Sequence, residues 1–259
     1  GRGIHGPDFF QWQGKTWLNI FDPATLPAMP EKISKKGMKA VDIMLDFFRT
    51  QFIDPDEYRH AMDWLAWVIN NPNKRITYSL VILGGQGSGK TIIKKFMSYM
   101  LGRENVGTVN NQVIHRPFTG WQAHSMLKVI EEISVAGHRY DVINALKEPI
   151  SNETLFIERK GKDGQDEVNT ASWMMYTNDI AALPINTGDR RFLVTRSRFR
   201  SKEDVVTFLR ERPNFFKDFE KVFKKYAGEL RLWFKDWEYS PEFDYSSGQA
   251  PLTDRKSVV

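Results

Sequence analysis

The sequence predicts an α/β protein: a core built on a central parallel sheet, with a small helical layer before it and helices after it. Three observations carry this. Val81-Ile82-Leu83-Gly84-Gly85-Gln86-Gly87-Ser88-Gly89-Lys90-Thr91 is an apolar run that breaks into glycines and fits G-x-x-x-x-G-K-[ST], the phosphate-binding loop. About 40 residues after it, Met126 to Glu132 is an apolar run that ends in two adjacent acids. Apolar residues at helical spacing flank this region on both sides, from Val41 to Ile69 and from Phe219 to Trp237.

Composition bounds the rest. A chain of 259 residues, 41% hydrophobic and 27% charged, can bury one full core plus an accessory layer. The net charge of +5 favours a polyanionic partner, modestly for this length. Absence of cysteine excludes disulfides and thiolate zinc sites. His5, His60, His115, His124 and His138 never fall at i, i+3 or i+4, so they form no ligand pair on a helix face. No apolar run approaches the roughly 20 residues of a membrane span, and the expected location is the cytoplasm, that of the host cell if a phage encodes the chain. A start at Gly-Arg-Gly without Met reads as a piece of something longer.

Taken in order, residues 1–35 read as a turn-rich aromatic arm and linker closed by Pro23, Pro27 and Pro30. Gly14-Lys15-Thr16 in this arm lacks the upstream glycine and is a decoy. Residues 36–75 form the helical layer. Val41, Met44, Leu45 and Phe48 line one helix; Asp54-Pro55 opens a second, lined by Met62, Leu65, Ala66 and Ile69 and ended at Asn70-Asn71-Pro72. Residues 76–200 form the core.

Ile76 to Leu83 reads as the buried strand that feeds the loop, and Ile93, Phe96, Met97 and Met100 give the helix after it. Gly85, Gln86, Gly87, Ser88, Gly89, Lys90 and Thr91 are therefore the nucleotide-binding residues. Their amides form a nest for polyphosphate, Lys90 reaches the β- and γ-phosphates, and the Thr91 hydroxyl sits on Mg2+. The cofactors expected are thus ATP and Mg2+.

Met126 to Glu132 is what a Walker B element needs: Glu131 is assigned to the metal and Glu132 to the attacking water. The order of the two acids is open. Tyr140 to Lys147 reads as a helix stopped by Pro149. Thr154 to Gly164, with a return strand toward Val168 and Thr170, reads as a hairpin carrying Arg159, Lys160 and Lys162 at or near its tip. Such charges also suit a solvated edge that avoids aggregation. Ala171 to Thr177 is a buried strand ending in Asn178, placed to hydrogen-bond a γ-phosphate or its water. Arg190 and Arg191, before Phe192, suit γ-phosphate charge stabilisation in cis or from a neighbour. Residues 201–240 are C-terminal helices, the first opened by Ser201 with Asp204 in capping-box style, and 241–259 a polar tail or linker.

The ordered set of Gly84 to Thr91, Glu131-Glu132, a basic hairpin, a strand ending in Asn178 and Asp189-Arg190-Arg191-Phe192 resembles superfamily III helicases, in particular the helicase domain of phage, plasmid and poxvirus-type primase-helicase replication proteins. Trp64-Leu65-Ala66 and Ala250-Pro251-Leu252-Thr253 resemble that domain's flanks, so the resemblance runs from about residue 35 to the C-terminus. It implies an AAA+-type core, Asn178 as sensor and Arg159, Lys160 and Lys162 on a hairpin that grips single-stranded DNA, although the family's neighbouring His is missing. An Asp-Arg-x-Phe pattern favours Arg190 as the arginine finger, with Arg191 second. A finger supplied in trans implies a homo-oligomeric ring, usually six subunits.

The function expected is therefore an ATP-dependent DNA helicase of phage or mobile-element replication, moving 3′ to 5′ on single-stranded DNA at the fork, with a primase or polymerase domain N-terminal in the full-length protein and no membrane partner. The alternative is a nucleotide-gated DNA-binding or loading module that assembles on DNA without processive unwinding. A P-loop small-molecule kinase is disfavoured by the basic hairpin.

Overall fold

A computed structural model describes residues 9–12, 14–18, 22–72, 74–114, 118–123, 125–131, 139–178 and 189–251. Near the N-terminus, β1 (Phe9–Trp12) and β2 (Lys15–Leu18) form an antiparallel hairpin whose turn places Gly14 at φ +71°. Two helices follow. Ser34 caps α1 (Lys35–Gln51) by accepting from the Gly37 N–H, and Asp54 caps α2 (Pro55–Asn70) by accepting from Asp56 and Glu57, with Pro55 in the first turn where its missing N–H costs nothing.

The sheet comes next. β3 (Ser79–Leu83) leads through the glycine loop into α3 (Lys90–Leu101); then follow β4 (Val106–Val109), the short α4 (Asn111–Ile114), β5 (Leu127–Ile130) and α5 (Arg139–Ser151). An antiparallel pair, β6 (Thr154–Arg159) and β7 (Lys162–Val168), precedes β8 (Ser172–Thr177), β9 (Phe192–Arg196), α6 (Lys202–Glu211) and α7 (Phe215–Lys235). The central sheet has the order β4-β5-β8-β3-β9 and every pairing in it is parallel. β3 thus lies between two strands that come later in the chain, and open parallel sheets bind ligands beyond the carboxyl ends of their strands at such positions.

Burial on both faces explains why these strands read as continuous apolar runs. Leu80 and Ile82 face one core with Met174 and Tyr176 of β8; Val81 and Leu83 face the other with Trp173 and Met175. The first core is the larger and is covered by α1, α2, α3 and α7. Phe47 stacks on Phe219 with centroids 4.0 Å apart, and Phe96 meets Phe48, Phe219, Phe223 and Phe234, so the helical layer and the last helix share one core with the loop helix. The second core is closed by α5 through Val142, Ile143, Leu146 and Ile150.

The structure departs from the sequence expectations in three places. The loop strand begins at Ser79, later than Ile76. Pro149 does not stop α5, which runs to Ser151: the Pro149 carbonyl accepts from Asn169 Nδ2 (2.7 Å) and Trp173 Nε1 (3.1 Å), and Arg75 donates to the Ile150 and Ser151 carbonyls. Partners from other elements thus satisfy the helix end. The stretch after Tyr239, read as a polar tail, is docked as far as Ala250. Tyr245 stacks on Trp67 at 4.0 Å, its carbonyl accepts from the Thr77 N–H, and the Ala250 N–H donates to the Arg190 carbonyl. Aromatic residues scattered through polar sequence do this. The Ser201 and Asp204 capping box is present as expected.

Candidate active site

The glycine loop opens beyond Leu83. Its entry is tied to β8 and to the chain beyond β9: the Gly84 N–H donates to the Thr177 carbonyl (3.0 Å) and the Gly85 N–H to the Phe199 carbonyl (2.8 Å). Gly87 at φ +80° and Gly89 at φ +92° take the left-handed conformations that the curl requires. Gly89 begins α3 without a side-chain cap, and among the described residues the N–H groups of Gly87, Gly89 and Thr91 have no hydrogen-bond partner. Lys90 folds its ammonium back onto the loop, donating to the carbonyls of Gly84 and Gly85 (2.8 Å for the latter) and to Ser88 Oγ (3.4 Å). Free amides, a helix N-terminus and a lysine converge here, the donor set of a polyphosphate site.

Glu131 follows β5 directly and is exposed. Its carboxylate pairs with Lys94 at 2.8 Å, and Lys94 lies three residues beyond Thr91 on the same face of α3. The Thr91 hydroxyl and the Glu131 carboxylate are hard oxygen donors suited to Mg2+. No cluster of three His, Cys, Asp or Glu occurs among the described residues. Glu132 lies outside the described residues. Tyr176 is buried near Glu131, and its phenol is held above its ordinary range by burial first and the Glu131 charge second. Asn178 is exposed one residue past β8; the register Leu83↔Thr177 sets it level with the start of the loop. Loop, Glu131 and Asn178 therefore share one sheet edge.

The two arginines do not. Arg190 and Arg191 precede β9, whose parallel register with β3 runs from Ser79↔Phe192 to Leu83↔Arg196. They sit at the opposite edge, separated from the loop by about 13 Å of strand, beyond the reach of an arginine side chain. In this structure neither side chain reaches the loop of its own chain. Arg191 is engaged by Asp189 (3.3 Å) and Ser151 Oγ (3.0 Å), whereas Arg190 is exposed and its guanidinium has no hydrogen-bond partner among the described residues.

Sequence reasoning missed what lies over the loop. After β9 the chain Ser197-Arg198-Phe199-Arg200-Ser201 crosses it so closely that a Cβ on Gly85 would stand 2.5 Å from the Arg200 carbonyl oxygen. Arg198 and Arg200 are exposed here, and Arg196 is held by the buried Glu57, whose carboxyl burial pushes up. The alternating arginines in Thr195 to Arg200 were the available signal. Gln51 and Phe216 also flank Gly89: a Cβ there would meet Phe216 Cε1 at 2.8 Å and Gln51 Oε1 at 3.5 Å.

The β6–β7 hairpin is rooted between α5 and β8, at the edge away from the loop. It carries three cations and four carboxylates, so its charge is balanced rather than basic. Arg159 is half-buried and bonded to Glu167 at 2.5 Å, while Lys160 and Lys162 are exposed at the turn that Gly161 makes at φ +76°. Asp166 pairs with Lys15 of β2 at 3.3 Å. Among the described residues no helix is long and apolar enough to cross a membrane.

Residues 82–191 match a family of unknown function, DUF5906. Over 191 residues the chain is 22% identical to the DNA primase-polymerase of Nitratiruptor phage NrS-1, covering 73% of this chain and 26% of that protein. Two solved apo structures of the NrS-1 C-terminal region superpose with TM-scores of 0.75 and 0.72 at 18% identity, covering 97% and 98% of this chain and 57% and 58% of theirs. The chain thus spans about a quarter of the curated relative and under two thirds of the solved region. At this identity the likeness shows the fold, an α/β architecture around a parallel five-stranded sheet.

Proposed function

We propose that the chain is a helicase-like motor that hydrolyses ATP at a site shared between neighbouring copies in a ring of six, and uses the β6–β7 hairpin to move 3′ to 5′ on single-stranded DNA during replication. The observation that carries this reading is the division of the sheet. One edge gathers the glycine loop, Glu131 and Asn178, and the other holds the hairpin root with Arg190, which has no phosphate of its own to meet. A ring in which one copy's arginine edge faces the next copy's loop edge completes both.

Within that site the amides of Gly87, Gly89 and Thr91 cradle the phosphates, and Lys90 leaves its carbonyl partners to neutralise β- and γ-oxygens. Thr91 and Glu131 would hold Mg2+, which when bound offsets charge on the phosphate oxygens. Glu132 orients water, Asn178 holds the γ-phosphate or that water, and Arg190 of the next copy stabilises charge as the phosphoryl group departs. Lys160 and Lys162 track phosphates without reading sequence. Similarity to a phage DNA primase-polymerase supports a place in replication, with the priming activity in another part of a longer protein.

The test is strand displacement on a forked duplex together with ATPase stimulated by single-stranded DNA. Lys90→Ala should abolish both. A variant that keeps both at wild-type rates would overturn the reading. The balanced hairpin charge favours one second reading, a nucleotide-gated DNA-binding or loading module, and ATP-dependent assembly on DNA without displacement would select it.

A further inference from the structure

Hydrolysis and DNA contact, on the reading above, occur at opposite edges of the sheet, so something must join them. Chain continuity through α5 is a long route, and among the described residues a shorter one is built from side chains. The Thr119 hydroxyl accepts from the Glu158 N–H (2.8 Å) and donates to the Phe156 carbonyl (2.8 Å), occupying the place on β6 that a neighbouring strand's backbone would take. Gly120 allows the approach, since a Cβ there would stand 3.1 Å from Arg159 Cγ. Trp121 then sets its ring edge-on to Trp173 of β8, centroids 6.1 Å apart.

The same segment is stapled to the strand that ends in Glu131. Lys128, in the middle of β5 and 2% exposed, turns its ammonium back to the Ala123 carbonyl (3.0 Å) and Ser125 Oγ (3.0 Å). Gly107 of β4 leaves the room, because a Cβ there would come within 2.8 Å of Ser125 Oγ and 3.4 Å of Lys128 Nζ. A buried lysine with no carboxylate among its bonded partners is costly unless its hydrogen bonds hold something in place.

We infer that Thr119 and Lys128 are positioning residues, which make residues 118–123, held to β5 through Lys128, a strut carrying displacement of β5 to the hairpin. This rests on the reading of the hairpin as the DNA-contacting element. A shift at the Glu131 end of β5 moves Ser125 and Ala123 with it through Lys128, and Thr119 passes the movement to β6 at two backbone atoms. The strut meets Arg159, whose guanidinium is held by Glu167, but neither the nucleotide loop nor the Lys160 and Lys162 tip, so it acts on coupling and not on either binding step.

The experiment compares wild type with Thr119→Val, which keeps shape and removes the hydroxyl, Thr119→Ser, which restores it, and Lys128→Met. Measured on each are ATPase without DNA, affinity for a labelled oligothymidine strand, and ATPase at saturating strand. Thr119→Val and Lys128→Met should keep basal ATPase and strand affinity within about twofold and lose most of the stimulation, at least fivefold, with Thr119→Ser close to wild type. Full stimulation in Thr119→Val, or no rescue by Ser, overturns the strut. Loss of strand affinity in Thr119→Val also overturns it, by making Thr119 part of the DNA site. A wild type that binds no strand and shows no stimulation overturns instead the hairpin reading on which the strut depends.

Discussion

Gly85→Ala is the substitution that most directly probes the packing over the glycine loop. The new methyl would lie 2.5 Å from the Arg200 oxygen, 2.7 Å from its carbonyl carbon and 2.8 Å from Ser201 Cα. None of these atoms can swing away, because the Asp204 carboxylate holds both the Arg200 and Ser201 N–H groups at 2.9 Å as α6 begins. The loop must therefore move, opening the bond from the Gly85 N–H to Phe199 at a cost of about 1 kcal/mol. Overpacking adds about 1–3 kcal/mol, for a total of about 2–4 kcal/mol. Gly87→Ala is the control: its methyl meets only Val205 Cγ1 at 4.0 Å, so its cost is the left-handed backbone alone, about 1–2 kcal/mol. Urea unfolding and titration with a fluorescent ATP analogue measure both. Gly85→Ala should be the less stable and should lose at least tenfold in nucleotide affinity. Wild-type stability and binding in Gly85→Ala would refute the crossing of residues 197–201 over the loop.

Two further outcomes follow from single groups. The Lys94–Glu131 pair is partly exposed and contributes about 0.5–1 kcal/mol, so Lys94→Met should free Glu131 and lower the Mg2+ concentration for half-maximal ATPase by about two- to fivefold; a raised Mg2+ requirement would contradict this. Burial lowers Lys128 from its ordinary 10.5 to about 8. Between those values the unfolded chain binds more protons than the folded one, so stability should rise with pH from about 8 toward 10, by up to about 3 kcal/mol, relative to Lys128→Met. A difference between the two proteins that falls over that window would contradict the burial.

The glycine loop, the acid-ended strand, the hairpin and the strand before Asn178 were legible because each is a local pattern: a glycine spacing, a run of buried residues, an alternation closed by Gly161. The helix beginning at Ser201 was legible for the same reason. What stayed hidden depends on residues far apart in sequence. Nothing near Gln51 or Phe216 indicates that they flank Gly89. Pro149 is a helix breaker by local rules, yet α5 continues past it to an end whose carbonyls are satisfied by Asn169, Trp173 and Arg75, all distant in sequence. Composition also misled at the hairpin, where Arg159, Lys160 and Lys162 stand out while Glu158, Asp163, Asp166 and Glu167 balance them. Which edge of the sheet Arg190 occupies is a matter of register, settled only once Ser79 is paired with Phe192.

That register is the basis of the central claim, a nucleotide site completed by the next copy, and a mixing experiment tests it most directly. Lys90→Ala lacks the loop lysine and Arg190→Ala lacks the finger, so each alone should be inactive, a finger being worth about 10³–10⁵ in rate. In a one-to-one mixture, about a quarter of the interfaces would pair an intact loop with an intact Arg190, by random assembly of a closed ring. Mixing the two inactive proteins should restore ATPase to about a quarter of the wild-type rate per chain. Full activity in Arg190→Ala alone, or no recovery in mixtures that co-assemble, would contradict it.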